Sequence, residues 1–481
     1  GVYRVVVSNA VGTTNSSASM LVVMGFVHPP VVDTDFAGEM IFNIGGVPSG
    51  GKVRLEKFLD LDGDGVIDAG DVLTQSLELT DGAVQTIGGV RNTSVPGDED
   101  NATNGVIQSK YLFKAQSDIN RGAAKWIYRA VRADNNATLE QASFTVTQPN
   151  LGQAITGQVT SNGQPVPHAL VGLLHSTFYG EFFRAAIADA NGNYSIQAAP
   201  GEYLVGSLAR GHIHGMREHT GTEIVKVASG ANTTRNILMK PAKRSITGRL
   251  VDSQTGAGLP GVLLWAEAEH EMPEAFYTYG ITDANGNYTI EVADYPFNWE
   301  VELSGYDFAM KGYALARDQN ATSANEFNVW LKDGNATMPD LPFLKANALV
   351  HGTLTNQNGS PLQGFNVNLE DGASAITDTN GSYAIGVLGG SEEELEGEFG
   401  FYGYLDLEGL EFTATAGQAR RADLNASAFT AHLNGRVVDT QGNPIAGMDI
   451  EAMRYAGGPW LRSVVSTDSN GSFRIGVVAD A

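Results

Sequence analysis

The chain has 481 residues, enough for several domains, and only 17% of them are charged. Thirty Lys and Arg stand against 54 Asp and Glu, a formal charge of −24, which repels phosphate backbones and anionic lipid surfaces. Nucleic-acid binding is therefore disfavoured, whereas cations are favoured. No cysteine is present, which excludes disulfides, thiol catalysis and zinc–thiolate sites. The 58 glycines, with frequent Val, Thr and Asn, suit short strands joined by tight turns. The longest apolar run, near Met20–Val27, is too short to cross a bilayer, and no segment reads as a signal peptide. An export signal is expected to lie outside this stretch, and both ends read as cut.

The first 25 residues carry Gly1, Tyr3, Val5, Asn9 and Gly12, then an alternating run, Ser17–Val23. That is the pattern of two closing strands whose domain begins earlier. These residues resemble the end of an immunoglobulin-like domain. Tyr3 stands two residues before Val5, which occupies the usual position of the second cysteine. The resemblance makes Tyr3 the tyrosine-corner residue of a disulfide-free version.

Residues 26–150 read as a further β-sandwich, with alternation at Gly51–Phe58 and Ala142–Thr147 and a short strand at Trp126–Val131. Within it lies Asp60-Leu-Asp62-Gly-Asp64-Gly65-Val66-Ile67-Asp68-Ala-Gly-Asp71, the spacing of a calcium loop. Oxygens of Asp60, Asp62 and Asp64, the Val66 carbonyl, Asp68 (directly or through water) and Asp71 would surround Ca2+. Gly65 supplies the sharp turn, and Ile67 is expected to pack inward. Five carboxylates in so short a stretch repel one another without a cation; the alternative is a solvated acidic turn. The loop resembles those of dockerins and EF-hands, but its flanks, Val53–Phe58 and Val72–Leu79, alternate like strands, and no second copy follows. Bracing of a loop between strands is therefore expected rather than cohesin binding or a helix-opening switch. Asp71 in place of Glu shortens the last contact and implies modest affinity.

From residue 154 onward one pattern occurs four times. An apolar residue and a Gly open it on a strand: Ile155-Thr-Gly157, Ile246-Thr-Gly248, Val350-His-Gly352 and Leu433-Asn-Gly435. A Gly/Pro turn follows at Gly163–Pro165, Gly258–Pro260, Gly359–Pro361 and Gly442–Pro444. Then comes Asp-x-Asn-Gly leading into an aromatic strand: Asp189–Tyr194, Asp283–Tyr288, Asp378–Tyr383 and Asp468–Phe473. Pro presets φ in the first turn, and Asn-Gly accepts the positive φ of a tight hairpin. In the strand after it, Tyr288, Ile290 and Val292 face one way and Thr289 and Glu291 the other, as in a half-buried sandwich sheet. Each unit is a sandwich of about 80–105 residues, placed at 151–243, 244–346, 347–430 and, incomplete, 431–481. The repeats resemble the carboxypeptidase regulatory-like domain, a transthyretin-like sandwich of bacterial surface and secreted proteins, over about two thirds of the chain. That name comes from an accessory domain of peptidases and implies no catalysis. The related collagen-adhesin B-type domains often carry Lys–Asn isopeptide bonds; Lys345 is the last lysine, so the third and fourth repeats lack that bond.

Other signals are weaker. Asp98-Glu99-Asp100 is a further source of cation ligands or a solvated loop. His212 and His214, with His168, His175 and His219 in the same repeat, suit a transition metal only if brought together. Trp265, Trp299 and Trp460 either face sugars or fill cores, Glu392–Glu396 reads as a solvated loop, and many of the sequons, including Asn101, Asn136, Asn320, Asn335 and Asn425, coincide with turns where Asn is useful without glycosylation. No nucleophile elbow, phosphate loop or dinucleotide fingerprint occurs. The expectation is an all-β, linear array of immunoglobulin-like and transthyretin-like β-sandwich domains stacked into a rod, and not an enzyme. It would serve as an extracellular, bacterial cell-surface stalk, adhesin or filament, with homopolymer formation by end-to-end strand pairing and a surface glycan or protein as partner. The alternative is an accessory glycan- or protein-binding region of a larger secreted enzyme.

Overall fold

The computed structural model describes residues 25–115, 122–175, 184–216, 224–268, 275–293, 298–315, 326–331, 334–370, 372–454 and 460–479. It also gives the backbone of four short strands, Val2–Tyr3, Val6–Asn9, Gly12–Asn15 and Ser19–Met20. Val5, His219 and Asn320 lie outside the described residues, as do the side chains of Tyr3, His175 and Trp460. The fold is an all-β array of domains; among the described residues its helical elements are Gly305–Ala309 and the turn Gly400–Tyr402. No described helix is long and apolar enough to cross a membrane.

Between residues 26 and 150 two sheets face each other. One has three strands, with Ala37–Gly45 between Val106–Lys114 and Val27–His28. The other has five, ordered Val31–Asp33, Thr138–Thr147, Lys125–Arg132, Lys52–Leu59 and Val72–Thr80. Alternation sends Met40, Phe42 and Ile44 inward from one strand and Ile107, Tyr111 and Phe113 from its partner. Phe42 stacks on Tyr111 at 5.5 Å and meets Tyr128 edge-on at 5.0 Å; Phe113 and Phe144 meet edge-on at 5.5 Å. The same alternation that buries Val53 and Leu55 carries Lys57 inward to 2% exposure. Its ammonium lies 4.0 Å from the Trp126 ring centre and 4.9 Å from that of Phe113, where the ring faces attract a cation.

In all four repeats the glycine of the opening strand lies opposite the aromatic residue of the hairpin strand: Gly157 and Tyr194, Gly248 and Tyr288, Gly352 and Tyr383, Gly435 and Phe473. A Cβ on Gly157, Gly248 or Gly435 would run into that ring, so the missing side chain is what lets the ring lie flat across the sheet. Each Asp-x-Asn-Gly turn is closed by its own carboxylate. Asp189 Oδ1 accepts the amides of Asn191 and Asn193 at 2.8 Å, and Asp378 Oδ1 accepts those of Asn380 and Ser382. Hydrogen bonds from the Asn193 amide and side chain hold the Asp189 carboxyl below its usual range. Just before the aspartate, buried threonines tie this hairpin to the Gly/Pro turn. Thr377 Oγ1 donates to the Leu362 carbonyl at 2.7 Å and accepts the Phe365 amide at 3.0 Å, and Thr282 and Thr467 do the same in their repeats.

The modules are not joined only in chain order, as a linear rod would require. One ten-stranded sheet runs from the first repeat into the second, where His212–Met216 pairs with Ala275–Ile281. A six-stranded sheet runs from the third into the fourth, where Asp406–Thr413 pairs with Trp460–Ser466. Residues 26–150 also pack back onto the second and third repeats. Leu263, Tyr306, Met310 and Ile376 share their apolar core, Tyr306 donates to the Leu112 carbonyl, Lys311 to that of Ser76, and Ser94 to that of Ala384. The physical reason is apolar surface: Leu263, Tyr306, Met310 and Ile376 pack into the apolar cluster of residues 26–150, which removes them from water.

Two consequences are measurable. Thr377→Val leaves the Leu362 carbonyl and Phe365 amide unpaired in a buried site, so the third repeat should lose about 1–3 kcal/mol in denaturant unfolding. Burial lowers Lys311 to about 8, opposed by nearby Asp307 and assisted by Lys345. Because the folded value lies below the unfolded one, the penalty of burying the cation is full below pH 8 and fades towards pH 10.5. Thermal stability of the docked modules should therefore rise from pH 7.5 to 9.5, and Lys311→Met should remove that part of the rise.

Candidate metal loop

The loop at 60–71 joins two adjacent antiparallel strands, Lys52–Leu59 and Val72–Thr80, so strands and not helices flank it. The chain turns tightly through Gly63 and Gly65, at φ of 74° and 79°, a region that favours glycine. Asp60 is buried, and its two oxygens accept the amides of Gly63 at 2.7 Å and Gly65 at 3.0 Å. Asp62 accepts the Asp64 amide at 3.1 Å and Asp64 the Val66 amide at 2.7 Å. One oxygen from each of Asp60, Asp62 and Asp64 lies within 4.8 Å of the others, close enough for one ion to meet all three.

The remaining predicted ligands are placed differently. Asp68 accepts the Gly70 amide at 2.6 Å, while Asp71 accepts those of Leu61 and Asp68, each at 3.1 Å, which ties the two ends of the loop together. The Val66 side chain is 58% exposed, and Ile67 is half-buried. Opposite the loop, Lys125 Nζ donates to the Gly63 carbonyl at 2.9 Å. A cleft lined by Asp60, Asp62, Lys125, Asp189, Asn193 and Tyr194 separates the loop from the first repeat. The donor set, three converging carboxylates with hard oxygen atoms, fits a hard divalent cation.

Other sequence candidates are absorbed by structure. Asp98 is fully buried and accepts the amides of Gly82 and Gln108, and Glu99 pairs with Arg91 at 3.0 Å. His214 accepts the Ser207 amide at 3.3 Å and His212 contacts the Arg210 carbonyl at 3.0 Å. Trp299 is fully buried, and Trp265 packs 6.3 Å from Tyr279 against the core of residues 26–150. Asn136 takes φ 59° and accepts from Arg54 at 2.7 Å, and Asn335 accepts the Ser245 amide at 3.0 Å; both side chains tie a loop to a strand distant in sequence. Sequence reading missed Lys57 and the threonines before Asp283, Asp378 and Asp468. Period-two alternation from Val53 signals the first, and the recurring Thr-Asp-x-Asn-Gly at 282, 377 and 467 signals the second.

A family model described as a protein of unknown function (DUF1416) matches residues 134–229. No curated protein matches the chain. Among solved structures it is similar to the Bacillus anthracis TIE protein, at 12% identity over 83% of this chain and 74% of that one, with a TM-score of 0.18. It is similar also to a Streptococcal ancillary pilin, at 12% identity over 58% and 99% and a TM-score of 0.19. BcpA, the major pilin subunit of Bacillus cereus, matches at 9% identity over 57% and 99%, with a TM-score of 0.14.

Asp60 has a structural part that no cation is needed to explain. Asp60→Ala strips the acceptor from the Gly63 and Gly65 amides. In chelator-treated protein it should lower the stability of the region 26–150 by about 1–3 kcal/mol in urea unfolding.

Proposed function

We propose that this chain is a non-enzymatic structural or adhesive part of an extracellular surface assembly, with one Ca2+ bracing the loop at 60–71. The observation that carries the reading is the way the sandwiches are joined. Their sheets continue strand to strand across module boundaries at 212–216 with 275–281 and at 406–413 with 460–466. Backbone hydrogen bonds of this kind resist sliding and pulling better than a flexible linker does. Polar groups that sequence reading offered for chemistry, such as Asp98 and His214, instead hold backbone amides. The reading of residues 1–25 as immunoglobulin-like, of the four repeats as regulatory-like domains, and of a bacterial surface as the setting belongs to the same proposal.

For the cation, Asp60, Asp62 and Asp64 are the converging ligands, and the Val66 carbonyl, Asp68 and Asp71 complete the set on binding. A bound ion would neutralise a cluster of negative charge on a chain of −24. It would brace the hairpin Lys52–Thr80 at its turn end, beside the cleft to the first repeat. The accessory-region alternative requires an exposed aromatic platform for sugar, and Trp299 fills a core instead.

Calcium titration of chelator-treated protein, followed by isothermal calorimetry and thermal unfolding, tests this reading. One site should saturate at submillimolar to millimolar concentration. At a hundredfold excess over its dissociation constant, Ca2+ should add about 2.7 kcal/mol to the stability of that region. The double variant Asp62→Asn, Asp64→Asn should lose both effects; a chain that takes up no calcium would remove the brace from the account.

A further inference from the structure

Asn-Gly is the pair in which a backbone can modify its own side chain, because glycine leaves the amide after asparagine open to the carboxamide. The chain has eight such pairs. In seven of them the glycine amide is held. Gly192, Gly286, Gly381 and Gly471 donate to the carbonyl of the aspartate that opens their turn, at 2.8–2.9 Å, and Gly359 donates to that of Asn356 at 2.9 Å. Gly105 donates to both carboxylate oxygens of Asp81 at 3.2 Å. Gly435 stands opposite Phe473, two residues from the Val437 amide that bonds the Gly471 carbonyl at 2.8 Å, so its amide belongs to the bonded set of that ladder.

Asn162-Gly163 is different. These two residues form the whole turn between Ala154–Ser161 and Gln164–Pro165, with Ser161 opposite Gln164 and φ of 50° and 75° at the two positions. The ladder bonds of such a turn run between the flanking residues. Among the described residues the Gly163 amide and the Asn162 side chain have no hydrogen-bond partner. Both residues are exposed, as are Gln164 and Pro165. The third repeat has a longer turn at this place. There Asn356 Oδ1 accepts the amides of Asn358 at 2.9 Å and Ser360 at 3.0 Å, which fixes the backbone around Asn358-Gly359.

We infer that Asn162 is a site of self-modification, at which the Gly163 amide nitrogen closes on the side-chain carbonyl carbon of Asn162. The new N–C bond forms as the carboxamide C–N bond breaks. Ammonia leaves with the proton of the Gly163 amide, and a cyclic imide remains. Water then opens the ring. Addition at one carbonyl gives an aspartyl residue, and at the other an isoaspartyl residue whose main chain runs through the former side chain. At the other pairs a hydrogen bond must break before the ring can close, whereas at Asn162 only exposed turn residues need to rotate.

The product changes the first repeat. The isoaspartyl form adds a methylene to the main chain of a turn that sets the register of Ser161 with Gln164 and Thr160 with Pro165. Next in that ladder the Val166 amide bonds the Val159 carbonyl at 2.9 Å, and both side chains are buried in the core of the repeat. Val159–Ser161 also pairs with Ile237–Met239, so the opening strand keeps its place while the hairpin loosens.

The test ages the whole chain in mildly alkaline buffer and follows each Asn-Gly pair by peptide mass spectrometry. The native chain should deamidate at Asn162 about fivefold faster than at any other pair, the rate factor that one net hydrogen bond supplies. In denaturant the rates at all the pairs should converge, because no held amide survives there. Isoaspartate should appear in the peptide containing residue 162, and the Val166 amide should exchange faster in the aged chain. The variant Asn162→Asp carries the charge without the methylene and should keep Val166 as protected as in fresh protein. Equal native rates at every pair, or a faster rate at any pair whose amide is held, overturns the inference. Unchanged exchange at Val166 in isoaspartyl chain overturns the consequence for the hairpin.

Discussion

Close packing over the glycine of the opening strand is the constraint common to every repeat: a Cβ on Gly248 or Gly435 would meet the ring of Tyr288 or Phe473, and one on Gly157 or Gly352 the backbone carbonyl of Arg235 or Ala422. In each repeat the aromatic ring of the hairpin strand lies directly across from that glycine. That ring fixes the register of the first strand pair, because a slip of one residue would turn it to the opposite face. With the register set, the Asp-x-Asn-Gly turn and the threonine pin fall in their places. In the first and third repeats the tyrosine hydroxyl donates to the carbonyl that covers the glycine.

Much of this was legible in the sequence. The recurrence of Ile-Thr-Gly and its variants, of Gly-x-Pro and of Asp-x-Asn-Gly marked the repeats, and the alternation at Tyr288, Ile290 and Val292 marked a half-buried sheet. The acidic spacing at 60–71 marked the loop, and the strand-like flanks were read from the same alternation. The purpose of Gly157 was not legible, because the carbonyl that requires it lies 78 positions away, at Arg235. Nor did the ligand spacing show that Asp71 turns to the amides of Leu61 and Asp68, since one-dimensional order does not say which way a carboxylate faces.

The packing between modules was the least legible part. Tyr306 and Leu112 are 194 residues apart, and Lys311 and Ser76 are 235 apart. Tyr306 and Met310, both on or beside the short helix, look in isolation like ordinary surface-helix residues, yet they finish the core of another module. A string of beads becomes a docked block through a few such side chains, and the continuous sheets at two junctions add backbone hydrogen bonds to that packing. Rigidity of this kind is what a structural surface component needs and what a flexible tether lacks.

Small-angle scattering of the chain in calcium tests this account most directly, because docking of residues 26–150 onto the second and third repeats sets the overall dimension. A docked array of 481 residues should have a radius of gyration near that of a compact globule, about 23–30 Å. A radius roughly twice as large, with the scattering of an elongated string, would contradict it.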